Sequence, residues 1–243
     1  MDAITARELV TAVSGKLIKG NENEFFTGIC TDSRIFEEKE VFFALKGETS
    51  DGHKFIPMAV DKGCRLCVIS DEKWIEGVDE CTFISVEDTL AALQVLTKWY
   101  LDKIAVKKIA VTGSVGKTST RDMVYYILSE KYKTGRPIKN YNSDVGIPLT
   151  VSKFSSDLEM AVLEEGMEFA GEIHRLVDMT RPDVAIITNV GISHLENLGS
   201  RENLYKAKME ITDFFGKDNV LIINESNDML DKSRISGEYK VIS

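Results

Sequence analysis

The sequence predicts an α/β protein: a small N-terminal α/β unit, then a doubly wound, mostly parallel sheet domain. Three observations predict it. From residue 108 onward, short apolar runs alternate with helical stretches; the runs are "KIAVT" (108–112), "MAVLE" (160–164), "VAIITNV" (184–190) and "VLIIN" (220–224). Uninterrupted runs suit strands buried on both faces of a parallel sheet, and strand–helix alternation builds a doubly wound domain. The first 80 or so residues carry a smaller pattern of their own. Finally, 243 residues at 43% hydrophobic content are enough for one large or two modest domains with ordinary cores. The break is expected at 82–85, giving domains 1–83 and 84–243.

The elements follow in order. "EVFFALKGE" (40–48) reads as a strand running into a turn. "KFIPMAVDKGCRLCVIS" (54–70) reads as a helix, a stop at Gly63 and a strand. "SVEDTLAALQVLTKWY" (85–100) opens with Ser85 and Asp88 in a capping-box arrangement, and Leu90, Leu93, Leu96 and Tyr100 follow at helical spacing. "KIAVTGSVGKTSTRD" (108–122) reads as a strand, a glycine turn and a helix from near Gly116, with Val124, Ile127 and Leu128 as its apolar face. "ENLYKAKMEITDFF" (202–215) reads as a helix with Leu204, Ala207, Ile211 and Phe214 as its stripe.

Composition excludes some classes. A net charge of −9 argues against nucleic-acid binding, which needs clustered Lys and Arg. No apolar run approaches the roughly 18 residues of a membrane span. "MDAITARELV" lacks the charged-then-apolar order of a signal peptide, and with four cysteines the expectation is a reducing cytoplasm. Cys64 and Cys67 form a C-x-x-C with no second such pair and no histidine close behind. The reading is therefore packing, with free Cys as a small hydrophobe.

Ligands of doubly wound sheets sit beyond the C-terminal strand ends, so chemistry is sought after each run. After the first comes G-x-x-G-K-T at 113–118, which fails the G-x-x-x-x-G-K-[ST] spacing because Val111 stands where a glycine is needed. Its context still suits phosphate: a helix N-terminus, the Lys117 charge and a Thr118 hydroxyl for Mg²⁺. A plain corner with a solvated lysine is the alternative. No N-K-x-D follows, which argues against a GTPase. Glu164 and Glu165 end the second run, as metal-facing carboxylates or a solvated acidic loop. Asn189, His194 and Glu196 follow the third. His174 reads as a helix-surface residue. Lys208 falls on or beside the apolar stripe, either snorkelling to water or turned inward and chemically altered. Lys206 points elsewhere.

Four segments together resemble the ATP-dependent Mur ligase family of bacterial peptidoglycan synthesis: "TGSVGKTST" (112–120), "NYNSDVGIP" (140–148), "TNVGISHLENLGS" (188–200) and "KAKMEI" (206–211). "TDSRIFEEKEVFFALKGETSDGHKFI" (31–56) is similar to the uridine-nucleotide domain shared by the members adding the third residue and the terminal dipeptide. Ser114 and "NYNSDVGIP" lean toward the second. The family's loop is the short T-G-x-x-G-K-[ST], which accounts for the spacing. The resemblance implies that Gly113, Ser114, Val115, Gly116, Lys117, Thr118 and Ser119 cradle ATP, with Lys117 on the β/γ-phosphates. It implies one Mg²⁺ on Thr118 and Glu164, a second near His194, and a carbamylated Lys208 among the metals. Asn142, Asn189 and Asn224 match polar site positions, and Asp32, Ser33, Arg34 and Lys46 match the motif that meets the UDP part. Two positions depart from the family pattern: Ser143 replaces a frequent Asn, and Glu165 replaces an apolar residue.

The implied reaction is ligation of D-Ala-D-Ala to UDP-MurNAc-tripeptide through an acyl phosphate, by a cytoplasmic monomer with no nucleic-acid or membrane partner. The third-residue-adding ligase, a folylpolyglutamate-synthase relative and a non-catalytic nucleotide-binding module remain as alternatives. Family members continue into a further domain, so a chain ending at "EYKVIS", read as an unfinished strand, is expected to be a fragment with little activity alone.

Overall fold

In a computed structural model, which describes residues 1–47 and 49–243, the apolar runs become two main sheets and a two-stranded ribbon. Glu48, at the end of the turn expected after 40–47, lies outside the described residues. Two units result: Met1–Tyr100 with Val151–Ser155, and Leu101–Thr150 with Ser156–Ser243.

The first unit contains β1 (Ile4–Thr5), α1 (Ala6–Val13), β2 (Lys16–Lys19), β3 (Phe25–Phe26), β4 (Gly28–Cys30), β5 (Glu40–Phe43), α2 (Ile56–Asp61), β6 (Leu66–Ile69) and β7 (Thr82–Ser85). Strands run β2-β7-β6-β5-β4, parallel except for the β2–β7 pair, and β1 pairs with β3 as the ribbon. α2 stops where expected, because Gly63 takes a φ of 97° that L side chains rarely adopt. Phe42, Ile56, Ala59, Ile69, Phe83 and all four cysteines share one core. Burial pushes the Cys30 thiol up to about 12.

The next helix, α3 (Thr89–Ile104), corrects two expectations. Ser85 does not cap it, since Ser85 ends β7; Asp88 does, its Oδ1 accepting from the amides of Leu90 at 2.7 Å and Ala91 at 3.0 Å. The division between units also falls after Tyr100 rather than at 83/84. The cause is packing: Leu93, Leu96 and Tyr100 are fully buried, and Thr89 Oγ1 donates to the Ala44 carbonyl at 3.0 Å. The Tyr100 hydroxyl donates to the Phe154 carbonyl at 2.8 Å, which ties 151–155 to the same unit.

The second unit holds β8 (Lys107–Thr112), α4 (Lys117–Ser129), β9 (Thr134–Gly135), α5 (Gly146–Val151, whose last residue is grouped with the first unit), β10 (Met160–Glu164), α6 (Glu172–Thr180), β11 (Val184–Ile187), α7 (Leu195–Leu198), α8 (Arg201–Met209), β12 (Val220–Ile223) and β13 (Lys240–Ile242). The order β13-β12-β11-β8-β10-β9 is parallel throughout. Chain order reverses direction at β8, which makes its C-terminal end the switch point where such sheets bind ligands. α6 and α8 cover one face through Ile173, Val177, Leu204 and Ala207. α4 covers the other through Val124, Tyr125 and Leu128. Ile127, expected on that buried face, is 71% exposed, and Tyr125 packs in its place. The run at 184–190 forms a strand only to Ile187, and the helix expected over 202–215 ends at Met209, followed by a 3₁₀ turn over Glu210–Thr212.

Candidate active site

Two glycines shape the loop after β8. A Cβ on Gly113, whose φ is 150°, would stand 1.9 Å from Thr188 Oγ1. Gly116, at φ 80°, caps α4. Neither position accepts a side chain without strain or displacement. The neighbouring strand end braces the loop. Asn189 Oδ1 accepts from the amides of Ser114 at 3.2 Å and Val115 at 3.1 Å, and its Nδ2 donates to the Val115 carbonyl at 3.1 Å. Thr188 Oγ1 donates to the same carbonyl at 2.7 Å, and the Gly191 amide donates to Ser114 Oγ at 2.9 Å. Asn189, matched to a polar site position by the resemblance, has its side chain engaged in holding the loop. Behind the loop, the first-turn amides of α4 at Lys117, Thr118 and Ser119 present the positive end of a 13-residue helix. The Lys117 ammonium rests on the Gly113 carbonyl at 3.0 Å.

Glu164 lies at the end of the adjacent strand and is 2% exposed. Thr118 Oγ1 donates to its Oε2 at 2.8 Å, and Asn142 Nδ2 donates to its Oε1 at 2.9 Å. Arg121, itself 4% exposed, approaches Oε2 at 3.4 Å, pairs with Asp122 at 2.7 Å and donates to the Lys139 carbonyl at 3.3 Å. A carboxylate this buried needs such compensation. Sequence reading missed Arg121. The signal was present: Arg121, Val124 and Leu128 fall on one helical face, so a guanidinium stands on an apolar stripe.

Glu165 neither faces solvent nor joins Glu164. Successive residues at a strand end point to opposite faces, so Glu165 turns into the core at 0% exposure and accepts from Thr180 Oγ1 at 2.8 Å. Burial pushes its carboxyl up to about 8, and among the described residues its Oε2 has no hydrogen-bond partner.

Lys208 is 2% exposed, which overturns snorkelling. Burial first, and the Lys117 charge second, push its ammonium down to about 7. Lys206 is exposed, as read. His194 takes the left-handed backbone at φ 62° and lines a cavity of about 280 Å³ with Lys117, Asn142, Ser143 and Asp144. A second cavity of about 380 Å³ beside the loop is lined by Val115, Gly116, Ile186, Asn189, Ile222 and Asn224. His174, half-exposed and 2.6 Å from Asp213, is the surface residue expected.

The structure thus brings Lys117, Thr118, Glu164, Asn142, His194 and Lys208 around one end of one sheet. In the first unit, Asp32, Ser33 and Arg34 line a cavity of about 400 Å³. The Arg34 guanidinium holds the Asp32 carboxyl down to about 2. Ser33 is 2% exposed and its hydroxyl meets Met58 Sδ at 3.2 Å. Lys46 is exposed and bridges to Asp51 through the backbone, outside that cavity's lining.

A parallel sheet with a strand–glycine loop–helix corner at its switch point defines a phosphate-loop α/β domain. Comparison with known proteins makes this specific. Residues 111–243 match the Mur ligase middle domain, and residues 25–100 match the catalytic domain of the Mur ligase family. The chain belongs to the Mur ligase family. It is 40% identical over 219 residues to the UDP-N-acetylmuramoyl-tripeptide–D-alanyl-D-alanine ligase of Bacillus subtilis (strain 168), covering 90% of this chain and 48% of the relative. With the enzyme of that name from Escherichia coli (strain K12) it shares 32% identity over 242 residues, covering 99% and 52%. A crystal structure of MurF from Acinetobacter baumannii superposes with a TM-score of 0.89 at 31% identity, covering 99% of this chain and 53% of that one. MurF ligase from Thermotoga maritima in complex with ADP superposes with a TM-score of 0.77 at 29% identity, covering 88% and 49%. The chain spans about half the length of the curated relatives it matches.

Proposed function

We propose that this chain carries the nucleotide and precursor sites of an ATP-dependent ligase that joins D-Ala-D-Ala to UDP-MurNAc-tripeptide, working in the cytoplasm. The Thr118–Glu164 contact of 2.8 Å, at neighbouring strand ends and beside Lys117, carries the reading. A hydroxyl and a carboxylate converging next to a phosphate loop are the hard oxygen donors that Mg²⁺ takes when it accompanies a nucleotide.

In this reading the first-turn amides of α4 and Lys117 bind the β/γ-phosphates of ATP, with Ser114 and Ser119 at the rim. The lysine leaves the Gly113 carbonyl to do so. Asn224 and the apolar wall of Ile186 and Ile222 accept the nucleoside, while Asn189 keeps the loop in shape. The two solved relatives described above are MurF enzymes, and one holds ADP. Asp32, Ser33, Arg34 and Lys46 meet the UDP part, and Asn142 faces the peptide end.

The donor set fits one Mg²⁺ on Thr118 and Glu164. His194 and Lys208 complete a second site only if Lys208 is carbamylated, because an ammonium repels a cation. Its buried, weakly basic amine suits that change, which requires the neutral form. Bound metal supplies charge neutralisation for the gathered phosphates and carboxylate. The chain's own residues orient the tripeptide carboxylate toward the γ-phosphorus. That carboxylate displaces ADP to give an acyl phosphate, and the dipeptide amine then attacks its carbonyl and expels phosphate.

The test is phosphate release by the intact protein. Release that requires both UDP-MurNAc-tripeptide and D-Ala-D-Ala supports the ligase. ATP binding without turnover under the same conditions points to a non-catalytic module, and release with a single amino acid in place of the dipeptide points to the third-residue-adding reaction.

A further inference from the structure

Cys64, Cys67 and Cys81 reach one point of the first unit from the turn after α2, from within β6 and from the residue before β7. They are 0%, 0% and 4% exposed, all are free thiols, and their sulfurs lie within 4.8 Å of one another. Cys67 Sγ is 3.7 Å from Cys64 Sγ and 3.5 Å from Cys81 Sγ. Three thiolates held about 2.3 Å from a shared centre stand about 3.5–3.8 Å apart. The cluster is therefore close to the spacing that a thiophilic centre needs.

Charge and coordination select the centre. Thiolate sulfur prefers soft centres. Structural zinc takes four ligands, yet the fourth cysteine, Cys30, turns its sulfur to the Asp32 carbonyl at 3.2 Å. A divalent ion on three thiolates also leaves net negative charge in a core of Phe42, Ile69 and Phe83, which is costly. A trivalent centre on three thiolates is neutral. We propose that Cys64, Cys67 and Cys81 form a binding site for a trivalent thiophilic metalloid of the arsenite class. Binding exchanges the three As–O bonds of arsenous acid for three As–S bonds. Each thiol proton leaves with a hydroxide, giving three waters, and no electron is transferred. Access is short: Arg65 and Glu80, adjacent to Cys64 and Cys81, are exposed, and their 3.7 Å ion pair joins the two segments.

The test adds sodium arsenite to the whole chain under a thiol-free phosphine reductant, read by native mass spectrometry and far-UV circular dichroism. One arsenic per folded chain with loss of three protons is expected, together with a raised melting midpoint. Cys64→Ala, Cys67→Ala and Cys81→Ala each weaken uptake at least tenfold, while Cys30→Ala binds as the parent does. Because a core variant can fail to fold, arsenic-edge X-ray absorption on the parent chain gives an independent reading, with three sulfur neighbours expected. No stoichiometric uptake, two sulfur neighbours, uptake that survives the three variants, uptake that needs Cys30, or uptake only with loss of the folded signal would each overturn the site.

Discussion

Glu165 and Lys208 are two buried ionisable side chains in one unit, and their environments explain their different fates. The Glu165 carboxylate accepts from Thr180, and burial raises its carboxyl from 4.5 to about 8. The folded chain thus keeps a proton that the unfolded chain releases above about pH 4.5. Its contribution to stability is full below that pH and is lost as pH rises toward 8. At about 1.4 kcal/mol per unit, the loss between about pH 5 and pH 8 is on the order of 3 kcal/mol. Urea unfolding of the parent chain should weaken over that range relative to Glu165→Gln, which keeps an acceptor for Thr180 and cannot ionise. Parallel pH profiles for the two would show that Glu165 does not titrate there. Lys208 lies instead beside Lys117, with burial and a like charge both favouring its neutral form. Lys208→Ala in the intact enzyme should cut turnover by roughly a hundredfold or more while leaving the unfolding midpoint unharmed or raised; near-normal turnover would sink its place in the reaction.

At the scale of elements, the start of α3 was a feature that sequence pattern misplaced. The S-x-x-D pattern at 85–88 satisfies a capping box, yet the pairing of β7 with β6 claims Ser85 as Ile69's partner. Tertiary pairing outweighs a local motif, and the cap passes to Asp88. The two assignments differ in outcome. Asp88→Ala should cost about 1 kcal/mol in urea unfolding, and Ser85→Ala should cost much less. Equal costs would contradict the observed cap. α1, by contrast, shows the reciprocal arrangement, with the Thr5 and Glu8 amides each served by the other's side chain at 2.9 and 3.2 Å. On α4 the same kind of override appears as geometry: Ile127 faces water because Arg121, not an apolar residue, begins the buried row that Val124 and Leu128 continue.

For the whole molecule, what was legible followed from period and spacing. Four apolar runs gave four strands of the second unit in the right order, and the glycines and lysine of 113–118 marked the loop. Inward Lys208 was visible as a charge on a stripe. What was hidden depended on contacts distant in sequence. The Asn189 brace links strand ends 75 residues apart, and Cys81 joins a C-x-x-C 14 residues away. The unit boundary was hidden for the same reason, since α3 looks in sequence like the start of the second domain. Its apolar face decides otherwise: Leu93, Leu96 and Tyr100 are fully buried, and each such side chain contributes roughly 1.5–3 kcal/mol of burial. A polypeptide of residues 1–83 lacks that face and would leave the Ala44 carbonyl without its Thr89 donor. It should therefore show no cooperative thermal transition by circular dichroism, whereas the whole chain should. A sharp transition for 1–83 at the temperature of the whole chain's would place the boundary back at 83/84 and make α3 a linker.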